Sequence, residues 1–414
     1  MRAFDESTAQ AIDSLKAHPG RAFLAIAGIV VGIVTVVLVA SILANVRNQV
    51  ALLFRDLGTD NIFAFHLTGD PYVTPPEAEA RRRPLRASDA EELVRAGKAI
   101  RDVGVQVIVP TTDTEVLIAR ANGNESDTVL VEASTPNLFE ITGAEFAAGR
   151  PFTELENRGG ARVAVIGASL ARALWGEGSP VGQTIALGGE NFTVVGELAK
   201  RRGGFFGENR QDSVMSIPER YARRRFGVPD RVILYVRAQP GRRDEARIET
   251  EAILRRLRRV DVTAENDFTL STADQIIGTF DRIAAQVAVV TVGLAAVSLL
   301  IGAIGIANVM FISVTERTRE IGVRLAVGAS RRMVLSQFLV EAALLSAVGG
   351  VAGVALALAI GVLLSMLVSG FSAIAPAWAI AAGLLSSFTV GIVAGFLPAR
   401  RAANLDPVDA LRYE

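Results

Sequence analysis

Residues 22–44 form an apolar run without one charged side chain, and three more apolar runs follow at 284–314, 338–368 and 376–397, with Glu341 the single charge among them. A helix rises about 1.5 Å per residue, so each run is long enough to cross a hydrocarbon core of about 30 Å. Within a bilayer the backbone must satisfy its own hydrogen bonds, and long unbroken runs do so as helices. The expectation is an α-helical membrane protein with four transmembrane helices. The first run is about twice the usual length of a signal-peptide core and has no clear small-residue cleavage pattern behind it, so it is expected to stay as an anchor.

What flanks these runs sets the domain plan. Residues 1–20 read as a cytoplasmic interfacial helix, with Phe4, Ile12 and Leu15 on one face, ended by His18, Pro19 and Gly20. Transmembrane helix 1 is expected at 21–45, with Gly28 and Gly32 in a GxxxG pair that permits close helix approach, dimerisation being one use of it. Val46, Val50, Leu53 and Leu57 continue the helical pattern outward as a stalk. Within an extracytoplasmic domain expected at 46–282, stalks included, the chain turns soluble from about Asp60 to Phe268, with β-rich runs at 105–109, 163–166, 192–195 and 232–236 alternating with helical stretches at 89–99 and 242–258. This is the pattern of an α/β (α+β) extracytoplasmic domain inserted between spans 1 and 2. Thr272 and Gln275 form a capping box that opens a second stalk, whose stripe of Ile276, Ile277, Phe280, Ile283 and Val287 runs without a breaker into the second span.

Arginine and lysine fix the orientation. Segments 1–21, 315–332 and 400–412 are rich in them and 369–375 has none, which places both termini in the cytoplasm and the large domain outside.

Charge and composition exclude several functions. The 43 Lys and Arg balance 43 Asp and Glu, so no nucleic-acid partner is expected. With no cysteine there is neither a disulfide framework nor thiol catalysis, and His18 and His66 are too far apart in sequence to suggest a metal site. The phosphate-binding pattern G-x-x-x-x-G-K-[ST] is absent, since Lys16, Lys98 and Lys200 sit in no such loop. A chain without that device is expected to be non-catalytic and to hold no cofactor. Glu341 is the one ionisable residue within the four runs, too little for a proton relay. It needs a cation, and Arg324 and Arg319 are the expected candidates.

The segment between spans 2 and 3, 315–334, is too charged to span and too patterned to be a linker. Ile321, Leu325 and Ala326 fall on one side of a helix, and Glu316, Arg317, Arg319, Glu320 and Arg324 take the rest. Glu320 and Arg324 form an i,i+4 pair in the favourable order, Gly328 stops the helix and Ser330 caps the next.

That run, continued through Ser336, Gln337, Phe338, Leu339, Val340 and Glu341, resembles the signature of MacB/FtsX-type ABC transporter permeases. The closing sequence agrees, with Phe396, Pro398, Ala399, Ala402, Leu405, Pro407, Ala410, Leu411, Arg412 and Glu414 similar to the family's end motif. Residues 167–198 and Gly149-Arg150-Pro151 resemble the MacB-like extracytoplasmic domain. The resemblance implies an inserted lobe at about 137–238, an FtsX-like permease domain at 283–414, and a coupling helix at 315–334 that docks on a cytoplasmic ABC ATPase, which would bind the ATP. Glu316, Arg317, Arg319, Glu320, Ile321, Arg324, Leu325 and Gly328 would carry the coupling. A second permease copy, membrane lipid, a periplasmic adaptor and an outer-membrane channel complete the partners the resemblance implies at the inner membrane. The function implied is export or extraction of substrates such as antimicrobial compounds, peptides or lipoproteins. The alternative is an FtsX-like transducer that controls an extracytoplasmic hydrolase without transport.

Overall fold

The computed structural model describes residues 19–56, 60–67, 77–109, 118–126, 129–200, 210–226, 232–367 and 375–411. The expected interfacial helix lies outside these residues except at its end. There Pro19 and Gly20 belong to the first transmembrane helix, α1 (Pro19–Asp56), because proline fits the first turn, where its missing N–H is not needed. The chain divides into two compact units, 48–280 and 1–47 with 281–414.

Among the described residues, the first unit is built on a sheet of twelve strands. They are β1 (Asn61–Phe65), β2 (Ile100–Ile108), β3 (Ala119–Ala121), β4 (Asn124–Ser126), β5 (Leu130–Ser134) and β6 (Phe146–Gly149). The later six are β7 (Val163–Ile166), β8 (Thr184–Leu187), β9 (Glu190–Leu198), β10 (Val214–Pro218), β11 (Val232–Ala238) and β12 (Thr269–Thr272). The order is β12-β1-β11-β2-β5-β10-β7-β9-β8-β3-β4, with β6 paired to β9. Most neighbours are antiparallel; β5–β10 and β7–β9 are parallel. Along β11 the side chains alternate: Val232, Leu234 and Val236 join the main core, and Ile233 and Tyr235 join a smaller cluster with Phe65, Ile108 and Leu138. The main core also takes Leu93 of α2 (Ala87–Ala96), Leu170 and Leu174 of α3 (Ala168–Trp175), Tyr221 of α4 (Glu219–Phe226) and Leu254 of α5 (Arg243–Arg258).

The Gly149-Arg150-Pro151 motif has a local physical reason. Gly149 has φ +74°, and a Cβ there would lie 2.3 Å from the Val195 carbonyl, so no other residue fits. Arg150 donates to both carboxylate oxygens of Glu156 at 2.8 and 2.9 Å, while Glu156 and Thr153 close a capping box over the following helix.

The second unit holds α1 as far as Arg47, α6 (Ala273–Glu316) from Asp281 onward, α7 (Thr318–Ala326), α8 (Arg331–Leu367), α9 (Ala377–Ala403) and α10 (Pro407–Leu411). Four of these, α1, α6, α8 and α9, are long and apolar enough to cross a membrane. At 44 residues α6 runs about 66 Å, twice the hydrocarbon thickness, so it extends well beyond the bilayer. The Thr272–Gln275 capping box opens it, at 3.1 and 3.4 Å. Arg47 and Asp281 pair at 2.8 Å and tie α1 to α6.

Small residues set the packing in this unit. A Cβ on Gly28 would meet the Gly302 backbone nitrogen at 2.8 Å, and one on Gly32 would meet the Leu299 side chain at 3.2 Å. Gly28 and Gly32 therefore seat α1 on α6 within one chain. On α9, a Cβ at Gly391 would lie 2.0 Å from Ser346 Oγ of α8, and at Gly395 2.4 Å from Ala342 Cβ.

Candidate functional site

The segment expected to couple is divided among three helices. Thr315 and Glu316 end α6, Arg317 forms the corner, α7 follows, and Arg331 opens α8. The corner has a local cause: Thr318 Oγ1 donates to the carbonyls of Val314 and Thr315 at 3.0 and 2.8 Å, and Arg317 leaves helical geometry at φ −99°, ψ +15°. The end of α7 is a Schellman turn. The Ala329 N–H donates to the Arg324 carbonyl at 3.0 Å and the Gly328 N–H to the Leu325 carbonyl at 3.2 Å, with Gly328 at φ +102°. Ser330 Oγ then accepts from the Met333 N–H at 3.3 Å and caps α8.

The buried stripe of α7 is Thr318, Ile321 and Gly322, with Leu325 packed at its edge. Ala326, expected on that side, is exposed, because 318, 321, 322 and 325 already trace one helical face and position 326 falls beyond its edge. Ile321 enters the core of the unit. Gly322 faces α10, where its Cβ would lie 2.6 Å from Ala410 Cβ, so only glycine allows the two helices to close. Asp406 caps α10 by accepting from the Val408 N–H at 2.9 Å, and Pro407 occupies its first position.

The ion pairs correct one expectation. Glu341, 1% exposed, is held by Arg317, whose Nη1 donates to Oε1 and Oε2 at 3.3 and 3.4 Å, and not by Arg324 or Arg319. The helix break is the reason, since it turns the corner residue toward α8. Arg324 is engaged elsewhere, with Gln337 at 2.9 Å and with Glu320 in the expected i,i+4 pair. Arg317 and Arg324 thus both tie the α6–α7 corner region to α8.

Against this anchored side stands an exposed one. Val323, Val327, Val408 and Leu411 expose 46%, 85%, 60% and 47% of their surface, beside the exposed Glu316, Arg319 and Glu320. Isolated apolar residues on a surface mean little, but these sit on or beside two short helices that pack against each other through Gly322 and Ala410. The contribution of α10 escapes a reading of the 315–334 segment alone. The local signal for α10 itself is Asp406-Pro407, a capping residue followed by proline at the first helical position.

Comparison with known proteins places these features. A MacB-like periplasmic core domain matches residues 22–253, and an FtsX-like permease C-terminal region matches 292–407. The macrolide export ATP-binding/permease protein MacB of Bradyrhizobium diazoefficiens is 34% identical over 414 residues, covering 99% of this chain and 61% of its own. The chain therefore spans about three-fifths of that relative's length. The ABC transporter permease YknZ of Bacillus subtilis is 27% identical over 412 residues, 99% of either chain. The periplasmic region of MacB from Actinobacillus actinomycetemcomitans aligns with a TM-score of 0.44 and 18% identity, covering 55% of this chain and 95% of that structure. Four apolar spans with a MacB-like insert between the first two make this a membrane protein with an extracytoplasmic domain. With more than half its length matched by the first of these domains and most of the remainder by the second, the chain belongs to the MacB/FtsX-type ABC transporter permeases.

Proposed function

We propose that this chain is the permease subunit of an ATP-binding cassette transporter, docked by a separate ATPase on the joint face of α7 and α10. Closure of the ATPase pushes that face, and the continuous helix α6 carries the movement toward the extracytoplasmic domain. The work done there is export or extraction, and the substrate is an antimicrobial compound, a peptide or a lipoprotein. The relatives' names, macrolide export and pyoverdine export, favour export over control of an external hydrolase. The inner membrane, with both termini cytoplasmic, is the location that the arginine-rich segments support.

The observation that supports this reading is the exposure of Val323 on α7, Val327 just past its end, and Val408 and Leu411 on α10, two short helices whose other sides are locked by Ile321, Gly322 and Ala410. A loop that only joined spans would not need that lock. The test is the double variant Val327→Asp with Val408→Asp, purified with the ABC ATPase that accompanies the wild type. Insertion and thermal stability should be unchanged, because both side chains face solvent, while ATPase recruitment should weaken by about tenfold or more, as for truncated interface anchors. Undiminished recruitment and stimulation would refute the docking face.

A further inference from the structure

A cavity of about 320 Å³ opens in the soluble unit, walled by Leu85, Val107, Val232 and Glu219 and rimmed by Arg86 and Arg223. It is far in sequence from α7 and α10, and the proposed function does not use it. Its volume falls in the range of small-molecule sites, which are mostly apolar with a few convergent polar groups. Leu85, Val107 and Val232 are buried, at 1%, 2% and 2% exposure, and supply the apolar floor.

Glu219 is the unusual member. It is 4% exposed, and its Oε1 accepts no hydrogen bond among the described residues. A buried carboxyl oxygen left without a donor is costly, so such groups usually mark an absent partner. The nearest cation is Arg223 Nε at 3.7 Å, too far for a hydrogen bond. Burial pushes the Glu219 carboxyl above its ordinary range against the pull of Arg223 and Arg220. Arg86 and Arg223 are both exposed, so their guanidinium groups are open to an anion at the mouth.

We infer that this cavity binds a small amphipathic molecule that combines an apolar body, a hydrogen-bond donor for Glu219, and an anionic group for Arg86 and Arg223. Arg223 swings from Glu219 to the anion, and Oε1 is opened to the ligand's donor in the same movement. A cationic ligand is disfavoured because two guanidinium groups guard the entrance.

The absence of cysteine from the chain makes the test direct. Ser88, exposed on the cavity wall, is replaced in the full chain by Ser88→Cys in lipid nanodiscs, and its rate of maleimide labelling is measured. The probes are N-acetyl-L-tryptophan and its neutral amide, which share an apolar body and N–H donors and differ in charge. The acid should protect at a concentration at least about tenfold below the amide, the ratio a charge-assisted hydrogen bond gives. Arg223→Gln and Arg86→Gln, at exposed positions that leave folding intact, should each narrow that preference, and Glu219→Leu should weaken both probes. No protection by either probe, equal potency of acid and amide, or protection unchanged in the variants would overturn the proposal.

Discussion

The two units solve the packing problem in opposite ways. The soluble unit buries large side chains: Phe152, Leu93, Ile166, Leu170, Leu174 and Met215 are all less than 2% exposed. The membrane unit also buries Ile29, Ile33 and Phe338, but along α8 and α9 most of what it buries is small, among them Gly349, Gly350, Gly353, Ser346, Gly383, Ser387, Gly391 and Gly395, while Val289, Leu300, Ile301 and Ile304 of α6 remain exposed. Water explains the first and lipid the second. Removing apolar surface from water drives the soluble core, but lipid is as apolar as leucine, so helices in it gain from close approach and not from burying bulk. Rigidity is distributed accordingly. α8 and α9 are locked to one another by backbone proximity, whereas α6 presents a broad apolar face to its surroundings.

The largest expected effect lies in the soluble unit. Phe152→Ala removes a ring packed edge-on against Phe139 at 5.2 Å and should cost about 3 to 5 kcal/mol, read as a lower denaturation midpoint in Trp175 fluorescence. A loss below 1 kcal/mol would mean that the large side chains do not carry this core. Next comes Glu341→Gln, which leaves the Arg317 guanidinium without its carboxylate. About 1.5 to 3 kcal/mol should be lost from the membrane unit, measured by thermal inactivation in detergent, and the exchange Arg317→Glu with Glu341→Arg should restore part of it.

Gly391→Ala sharpens the contrast most economically, because one methyl group should cost about 1 to 3 kcal/mol where it meets Ser346 Oγ. Gly293→Ala on α6, where a Cβ meets nothing within 4 Å, should instead be neutral or gain up to about 1 kcal/mol in helix propensity. Equal effects of the two would erase the distinction between the locked and the open helices.

The smallest effect concerns pH. The Arg150 guanidinium, with the Thr153 cap, holds the Glu156 carboxyl down at about 2 from 4.5. A depressed acid contributes stability that is fully present above about 4.5 and lost as pH falls through about 2. Glu156→Gln should flatten that part of the soluble unit's stability profile and cost roughly 1 kcal/mol at neutral pH, the usual worth of a cap.

Local devices were legible in the sequence and distant ones were not. The four spans, the Thr272–Gln275 box, the Gly328 stop and the Ser330 cap each depend on residues within a few positions of one another. The Arg317–Glu341 pair depends on a helix break that no periodicity marks, and the α7–α10 contact joins segments separated by two spans. The sheet order is equally non-local, with β11 hydrogen-bonded between β1 and β2. For the cavity beside Glu219 no motif exists, since its walls come from β2, β11, α4 and the start of α2.

Movement at α7 and α10 should travel along α6, and the cysteine-free chain allows it to be measured. Single cysteines placed along residues 274–286 of α6 can cross-link only to their mates in a second copy, and only when the Cα atoms come within about 7 Å. Cross-linking is compared with the ATPase free and with ATP bound but not hydrolysed. Reactive positions should fall at helical spacing with yields that change on ATP binding, and that change should be lost in the Val327→Asp, Val408→Asp variant. Yields that ignore nucleotide in the wild type would contradict transmission along α6.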